Sequence, residues 1–356
     1  MKRWLQRART WFWPLLGLVA VVWSLDLLYT KLAREVASDP AIRKLLEEGG
    51  FWSDLKVIVV SIANRLREIP PSGYVFAFAS TLVAYAALAW YDRIALTHLR
   101  KEMGISWGYI AVTSFVTYAL GHNIGASVLS GGMVRLRAYT AKGLSAAEVA
   151  VLILLCTYTF VYGTLILLGL VFLFEPQIVV PLGDLILLLA LPEPVVRGIG
   201  LVLLAVCALY VVGSWLHLPS RRIGKFELMY PRLPVVGRQV IAAPLELLGA
   251  AGIIYFALPE QGNPGYFIVL GAFLLSFSAG LLSQVPGGVG VMEAVFLAVM
   301  PTIAPTAVVA ALLVWRLLYL LLPLGLSVPV ILCFERRQLA RATSASGDGR
   351  ESSGAG

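Results

Sequence analysis

The sequence predicts an all-α polytopic membrane protein with about eight membrane segments. Charged residues make up 13% of the 356 residues, against about 25% in soluble domains. Apolar runs of about 20 residues, the length that crosses a hydrocarbon core, recur along the chain. Two further apolar stretches are interrupted by glycine or proline, which predicts two broken or re-entrant hairpins within the bundle.

The unbroken runs predict these spans: 12–30, 73–98, 145–174, 196–217, 239–258 and 305–334. The first span follows a basic start without a convincing cleavage site, so we expect a retained signal anchor. Residues 31–71 mix acids and bases and then place apolar residues on one helical face. This pattern predicts an extracytoplasmic segment with a helix lying on the membrane surface. The single transmembrane domain is expected to cover 1–341, with a disordered Gly/Ser-rich tail at 342–356.

The broken stretches are 105–131 and 266–300, and the second contains "SQVPGGVGVME". Pro286 removes a backbone donor, and the glycines that follow it weaken a helix. Unpaired backbone groups in lipid cost several kcal/mol each. The break is therefore expected to be buried in protein or to line a wet cavity.

The positions of the charged residues, which give the chain a net charge of +8, fit a membrane topology. If both broken stretches are hairpins, five basic groups lie on one side of the membrane, in residues 2–9, 93–101, 135–142, 221–238 and 336–341, and the acidic loops at Glu175, Asp184, Glu193 and Glu260 lie on the other. Basic loops stay in the cytoplasm. We therefore expect a multi-pass protein of the cytoplasmic membrane with both termini inside, and no nucleic-acid partner.

The two broken stretches resemble each other. The first contains "GASVLSGGMVRLRAY" and the second "GLLSQVPGGVGVMEAVF", and in each a glycine is followed six or seven residues later by Gly-Gly and then by charge. Each stretch lies between two spans, and the two sets begin on opposite sides of the membrane. This pattern indicates an inverted repeat, which is the plan of many secondary transporters.

Several charged residues within the apolar runs are candidates for function. Arg316 is either a partner of Glu293 or a ligand for lipid phosphate. Arg135 and Arg137 are either interfacial anchors or a fork that binds phosphate. Glu246 is either hydrogen-bonded inside the bundle or protonatable.

Further candidates are Asp92 and Arg93, which suggest a charge pair at the membrane interface. Small and polar residues at the two breaks are candidates for a headgroup site, with polar contact between helices as the alternative. They are Ser127, Ser130, Gly131 and Gly132 in the first stretch, and Ser283, Gln284, Gly287 and Gly288 in the second.

The sequence contains three His and three Cys without metal-ligand spacing, and it contains no phosphate-binding loop or nucleophile elbow. We therefore expect no metal, no cofactor and no catalytic residue.

The quoted motifs resemble a known family. "SVLSGGMVRLRAYTAKGLSAAEVA" and "SQVPGGVGVMEAVF", with "YDRIAL" before and "WRLLYLLLP" after them, are similar to the transmembrane region of lysylphosphatidylglycerol synthases over roughly 12–335. The resemblance implies a flippase-like domain that moves aminoacylated phosphatidylglycerol to the outer leaflet. In two-domain members a cytosolic domain makes that lipid. Because this chain ends soon after Arg341, we expect a stand-alone member without the synthase domain.

The expected function is that of a lipid flippase, which moves a phospholipid or another phosphate-bearing lipid between the leaflets of the cytoplasmic membrane. One alternative is a membrane-embedded enzyme acting on a lipid-linked substrate. Another is a structural partner subunit of a separate lipid-modifying enzyme. The expected partners are membrane phospholipids, and a second copy of the chain is a further candidate.

Overall fold

The fold is given by a computed structural model, which describes residues 29, 51–124, 127–185, 191–217, 221–223, 226–228, 231–283, 285 and 288–333. The predicted span 12–30 lies outside these residues apart from Tyr29, as does the predicted tail 342–356.

The described part is helical, which confirms the all-α class. Its α-helices are α1 (Phe51–Glu68), α2 (Pro71–His98), α3 (Trp107–Ile124), α4 (Ser127–Thr140), α5 (Ala146–Phe174), α6 (Val180–Leu185), α7 (Glu193–Trp215), α8 (Leu233–Ala257), α9 (Tyr266–Ser283), α10 (Val291–Val299) and α11 (Pro305–Cys333). Short 3₁₀ turns lie at Glu102–Gly104 and Pro176–Val179. Between α7 and α8, the strands β1 (Arg221–Ile223) and β2 (Phe226–Leu228) pair antiparallel.

Six of the described helices are long and apolar enough to cross a membrane: α2, α5, α7, α8, α9 and α11. Local chemistry sets several of their boundaries. The α5 helix begins at a capping box, because Ser145 Oγ accepts the Glu148 amide at 3.2 Å and the Glu148 carboxylate accepts the Ser145 amide at 2.8 Å. The outer helix α7 presents large apolar side chains outward, such as Leu209, which is 67% exposed. A hydrocarbon solvent makes this exposure favourable.

The central element is an antiparallel pair formed by α2 and α8. A Cβ on Gly249 would lie 2.8 Å from the backbone nitrogen of Ala84, so only glycine permits this approach of the two backbones. Towards the other end of the pair, Arg238 Nη1 donates to Thr97 Oγ1 at 3.3 Å. The chain positions of these contacts run in opposite directions, so the two helices lie antiparallel along most of their length.

The first hairpin consists of α3 and α4. Gly131 and Gly132 lie inside α4, so the change of helix comes before the Gly-Gly pair, between Ile124 and Ser127. The sequence predicts that the stretch 105–131 is interrupted by glycine, and the Gly-Gly pair is not the point of interruption. Gly131 has a packing role instead, because a Cβ there would lie 3.0 Å from Thr117 Cγ2 on α3.

The second hairpin consists of α9 and α10, which are joined through the glycine-rich segment of the sequence. Gly288 and Gly290 adopt φ angles of 60° and 82°, in the left-handed region that side chains disfavour. Gly288 also approaches Gly280 closely, because a Cβ on Gly288 would lie 3.3 Å from the Gly280 Cα. Backbone conformation and space thus both require glycine at position 288.

The two hairpins start at opposite ends of the bundle. The first follows the end of α2 and the second follows the end of α8, and these two helices are antiparallel. Each hairpin is preceded by one long helix and followed by another, α5 or α11. The inverted repeat that the sequence pattern predicts stays a prediction.

Outside this set, α1 packs against the start of α11. Ile58 contacts Val309 in a small buried cluster, and Arg65 Nε donates to Thr306 Oγ1 at 3.3 Å. The surface location predicted for residues 31–71 stays a prediction.

Candidate functional site

The middle of α11 departs from α-helical geometry. Residues Arg316–Leu321 form a π-helical segment. Such segments leave backbone carbonyls without their usual partner and occur often at functional sites. Arg316 lies about 16 Å along α11 from Pro305, at about 1.5 Å per residue. This distance is about half of a hydrocarbon core about 30 Å thick.

Side chains from two other helices bind carbonyls of this segment. Tyr85 of α2 donates its hydroxyl to the Tyr319 carbonyl at 3.0 Å. Asn123, at the end of α3, donates its amide to the Leu320 carbonyl at 3.0 Å. The tip of the first hairpin is thus fastened to the π-helical segment.

The tip of the second hairpin is fastened to the same segment by an ion pair. Arg316 Nη2 and Nε contact Glu293 Oε1 at 2.6 and 3.0 Å. The other carboxylate oxygen accepts the Gly290 amide at 2.8 Å, which caps the N-terminus of α10. Glu293 is therefore stabilised by a guanidinium and by the positive end of a helix. The pairing interpretation of Arg316 is present in the structure.

A second ion pair lies closer to the end of α2. Asp92 is completely buried and accepts Arg135 Nη2 at 2.6 Å and Nε at 3.1 Å. Its other oxygen accepts the Tyr139 hydroxyl at 2.7 Å, and the Cys156 thiol lies 3.4 Å from Oδ1. The Arg135 guanidinium also stacks over the Tyr118 ring at 4.8 Å. This cluster ties α2, α3, α4 and α5 together.

Arg93 and Arg137 lie apart from this pair. Arg93 Nη1 donates to the Glu102 carbonyl at 2.8 Å, and its guanidinium lies 5.2 Å from the centre of the Trp107 ring. Asp92 therefore pairs with Arg135 rather than with its neighbour Arg93. Arg137 is exposed and lines a cavity between α3 and α4.

The buried carboxyl of Glu246 lies next to the π-helical segment. Its Oε1 accepts the Tyr319 hydroxyl at 2.5 Å, and its Oε2 has no partner among the described residues. The His122 ring stacks on Tyr319 at 5.2 Å, and its Nδ1 is likewise without a partner in the described part. The Trp315 indole nitrogen also has no hydrogen-bond partner among the described residues. Buried polar atoms of this kind need water or a ligand group as a partner.

Aromatic rings connect the two hairpins around this site. His122 of α3 meets Phe277 of α9 edge to face at 6.4 Å. Phe277 in turn contacts Trp315 of α11 at 6.2 Å. We call the convergence of both hairpins on residues 316–321 the central site.

The remaining predicted residues lie at the hairpin tips. Ser127 is the first residue of α4, and Ser130 lies in its first turn, but their side chains fall outside the described set. Ser283 Oγ donates to the Gly280 carbonyl at 2.7 Å. Gln284 and Gly287 lie outside the described residues.

The described residues contain no group of three His, Cys, Asp or Glu side chains that could hold a metal. Tyr85 and Tyr319 were not among the residues predicted from the sequence to be functional. A usable signal was nevertheless present, because a carboxyl in mid-span such as Glu246 needs a donor, and tyrosines are among the few donors within apolar runs.

Comparison with known proteins identifies relatives of the chain. No protein-family model matches it. It is 32% identical over 271 residues to the uncharacterized protein slr0712 of Synechocystis sp., an alignment that covers 74% of this chain and 80% of slr0712. It is 28% identical over 284 residues to the inner membrane protein YbhN of Escherichia coli, covering 78% of this chain and 83% of YbhN. The chain therefore belongs to the same family as slr0712, and the similarity to YbhN together with the six apolar helices identifies it as a multi-pass inner membrane protein.

Proposed function

We propose that this protein moves a phosphate-bearing lipid between the leaflets of the cytoplasmic membrane. The observation that carries the proposal is the central site, where two hairpins from opposite ends of the bundle meet near mid-membrane. Broken helices are tolerated at that depth only where they are buried in protein or line a cavity. Transporters of many folds bind substrate at such interrupted helices.

The order of elements supports a transport mechanism. The set α2, first hairpin, α5 has the same order as the set α8, second hairpin, α11, and α2 runs antiparallel to α8. We take these sets as two inverted repeats. Rocking of one repeat against the other would open the central site to each side of the membrane in turn.

The headgroup ligand that we assign to the central site is Arg316. Its planar guanidinium matches the oxygens of a phosphate. A phosphate would compete with Glu293 for the guanidinium, while Glu293 can keep its hydrogen bond to Gly290. Arg135 is buried against Asp92, so we assign it the role of fixing α4. Arg137, which is exposed on the cavity wall, is the second headgroup contact.

The resemblance to lysylphosphatidylglycerol synthases makes phosphatidylglycerol, with or without an attached amino acid, the first lipid to test. Under this proposal the protein is a transporter rather than an enzyme.

The test uses purified protein in vesicles that contain fluorescent phosphatidylglycerol labelled on its headgroup side. An impermeant quencher bleaches the outer leaflet, and lipid that crosses during the assay is bleached as well. We expect faster loss of the inner-leaflet signal than in protein-free vesicles. Arg316→Gln should slow it, whereas Arg67→Gln, at an exposed position on α1, should not. If phosphatidylglycerol, its aminoacylated form and phosphatidylethanolamine all cross no faster than in protein-free vesicles, the proposal is wrong.

A further inference from the structure

A cavity away from the central site opens between α3, α4 and the end of α11. Its volume is about 410 Å³, within the range of about 300–1,000 Å³ that is usual for ligand pockets. Its walls are mainly apolar and include Val112, Val116 and Leu120 of α3, Met133 and Leu136 of α4, and Val330 of α11. We call this cavity the α3–α4 groove.

The α3–α4 groove runs along the helix axes. Its lining on α3 extends from Tyr109 to Leu120, about 16 Å at about 1.5 Å per residue. This length is about half of a hydrocarbon core about 30 Å thick, which is the depth of one leaflet. An acyl chain that lies along the membrane normal has the same direction and reach. The far end of the groove approaches the tip of the first hairpin, which contacts the central site.

The near end of the groove carries positive charge. Arg137 forms part of the wall, and Lys142 Nζ lies 4.7 Å from the centre of the Tyr109 ring. The Tyr109 hydroxyl donates to the Ala138 carbonyl at 2.8 Å, which holds the ring at the mouth. An aromatic ring beside two cations at a helix end is typical of the headgroup level of a membrane. Basic pockets between membrane helices favour anionic headgroups.

The same end of the bundle is basic as a whole. The connections beside the groove carry Arg100 and Lys101 before α3, and Arg232 lies directly before α8. Acidic side chains partly offset this charge, as in the Lys101–Glu148 contact at 3.3 Å. We call this the basic end of the bundle. It attracts anionic lipid of the adjacent leaflet.

We propose that the α3–α4 groove binds one acyl chain of an anionic phospholipid, with its phosphate at Arg137 and Lys142 and its second chain in the bilayer. The lipid comes from the leaflet at the basic end. That the groove is where the lipid to be transported is taken up rests on the proposed function, whereas the binding site itself does not.

The test is photo-crosslinking with phosphatidylglycerol that carries a diazirine on one acyl chain, using the full-length protein in vesicles. Labelled positions are mapped by peptide mass spectrometry. We expect labels on α3 between Tyr109 and Leu120 and on α4 between Met133 and Ala138. Unlabelled phosphatidylglycerol should compete better than phosphatidylcholine, and the double variant Arg137→Gln/Lys142→Gln should remove that preference.

A matched pair of variants separates the groove from general lipid contact. Met133 lines the groove and Leu209 lies on the outer face of α7, and both are 67% exposed. Met133→Trp should lower labelling of the groove about tenfold, the change expected when roughly two buried methylenes are displaced. Leu209→Trp should leave labelling of the groove unchanged.

Three results would overturn the inference. Labelling spread evenly over the groove and α7 would mean ordinary surrounding lipid. Equal competition by phosphatidylcholine would remove the anionic specificity. Protection of the groove, with crosslinks between its walls and residues after 333 or a second copy of the chain, would assign it to protein. Because crosslinking needs no transport, groove labelling without lipid movement would refute the proposed function while leaving the site in place.

Discussion

The ion pair between Arg316 and Glu293 gives the sharpest test of the central site. In the variant Arg316→Gln, Glu293 keeps the Gly290 amide as a partner but loses both guanidinium contacts. The Glu293 side chain is only 9% exposed, so a charge is left with little water around it. Removing one partner of a buried pair costs about 3–5 kcal/mol. Because the hydrogen bond to the Gly290 amide remains, we expect a loss of about 3 kcal/mol in the free energy of unfolding, at the low end of that range.

The double variant Arg316→Gln/Glu293→Gln separates the role of the pair in the fold from its role in binding. The glutamine at 293 keeps an amide oxygen that can accept the Gly290 amide, and no lone charge remains. We therefore expect the single variant to be poorly abundant in membranes and the double variant to regain abundance. If Arg316 binds phosphate, the double variant should still fail to move lipid.

The assay has two independent readouts, which are the amount of folded protein by fluorescence-detected chromatography and lipid movement in vesicles of equal protein content. Arg316→Lys serves as an intermediate, because lysine keeps the charge and loses the planar fork. It should retain part of the transport activity. A double variant that regains both abundance and full transport would refute the reasoning, and the phosphate contact would then have to lie in the α3–α4 groove, at Arg137 and Lys142.

Three further predictions address the hairpins, the buried carboxyl and the topology. Gly288→Ala should lower the free energy of unfolding by about 1–2 kcal/mol, because the φ of 60° at Gly288 disfavours a Cβ. The measurement is thermal stability in detergent. The control Gly108→Ala, where a Cβ meets no neighbour within 4 Å, should leave it unchanged. Tyr319→Phe removes the hydroxyl that donates to Glu246 and should lower the free energy of unfolding by about 1–3 kcal/mol. Unchanged thermal stability would contradict this hydrogen bond. In a cysteine-free chain, Lys142→Cys should react with an impermeant thiol reagent only after the cells are opened, because this end of the bundle is predicted to face the cytoplasm. Labelling in intact cells would show that the predicted orientation is wrong.

Helix positions were largely predictable because their signals are local. The spans expected at 145–174 and 305–334 are the helices Ala146–Phe174 and Pro305–Cys333. A long apolar run fixes the body of such a helix, and a neighbouring cap or proline fixes its start. For Ala146–Phe174 the cap is the reciprocal pair formed by Ser145 and Glu148.

Partners between helices were only partly predictable. Arg316 and Glu293 were matched because few charges occur in the last two apolar stretches, so the choice was narrow. Asp92 was matched with its neighbour Arg93, whereas its partner is Arg135. Successive residues of a helix point in directions about 100° apart, so neighbours in sequence do not face each other. The correct partner depends on the packing of α4 against α2.

The π-helical segment had no recognisable signal in its own residues. It depends on donors supplied by other helices, namely Tyr85 for the Tyr319 carbonyl and Asn123 for the Leu320 carbonyl. In a hydrocarbon environment a carbonyl without such a donor costs several kcal/mol. The segment is therefore a property of the assembled bundle.

The two buried ion pairs hold the two hairpins with different strength. The side chains of Asp92 and Arg135 are 0% and 7% exposed, and Asp92 also accepts the Tyr139 hydroxyl. The side chains of Glu293 and Arg316 are 9% and 13% exposed. Separating the more deeply buried pair costs more, because each charge then lacks both water and a partner. In a transport cycle the first hairpin should therefore stay fixed to α2 within its own repeat, and the pair of Glu293 and Arg316 should be the one that opens when a phosphate binds the guanidinium.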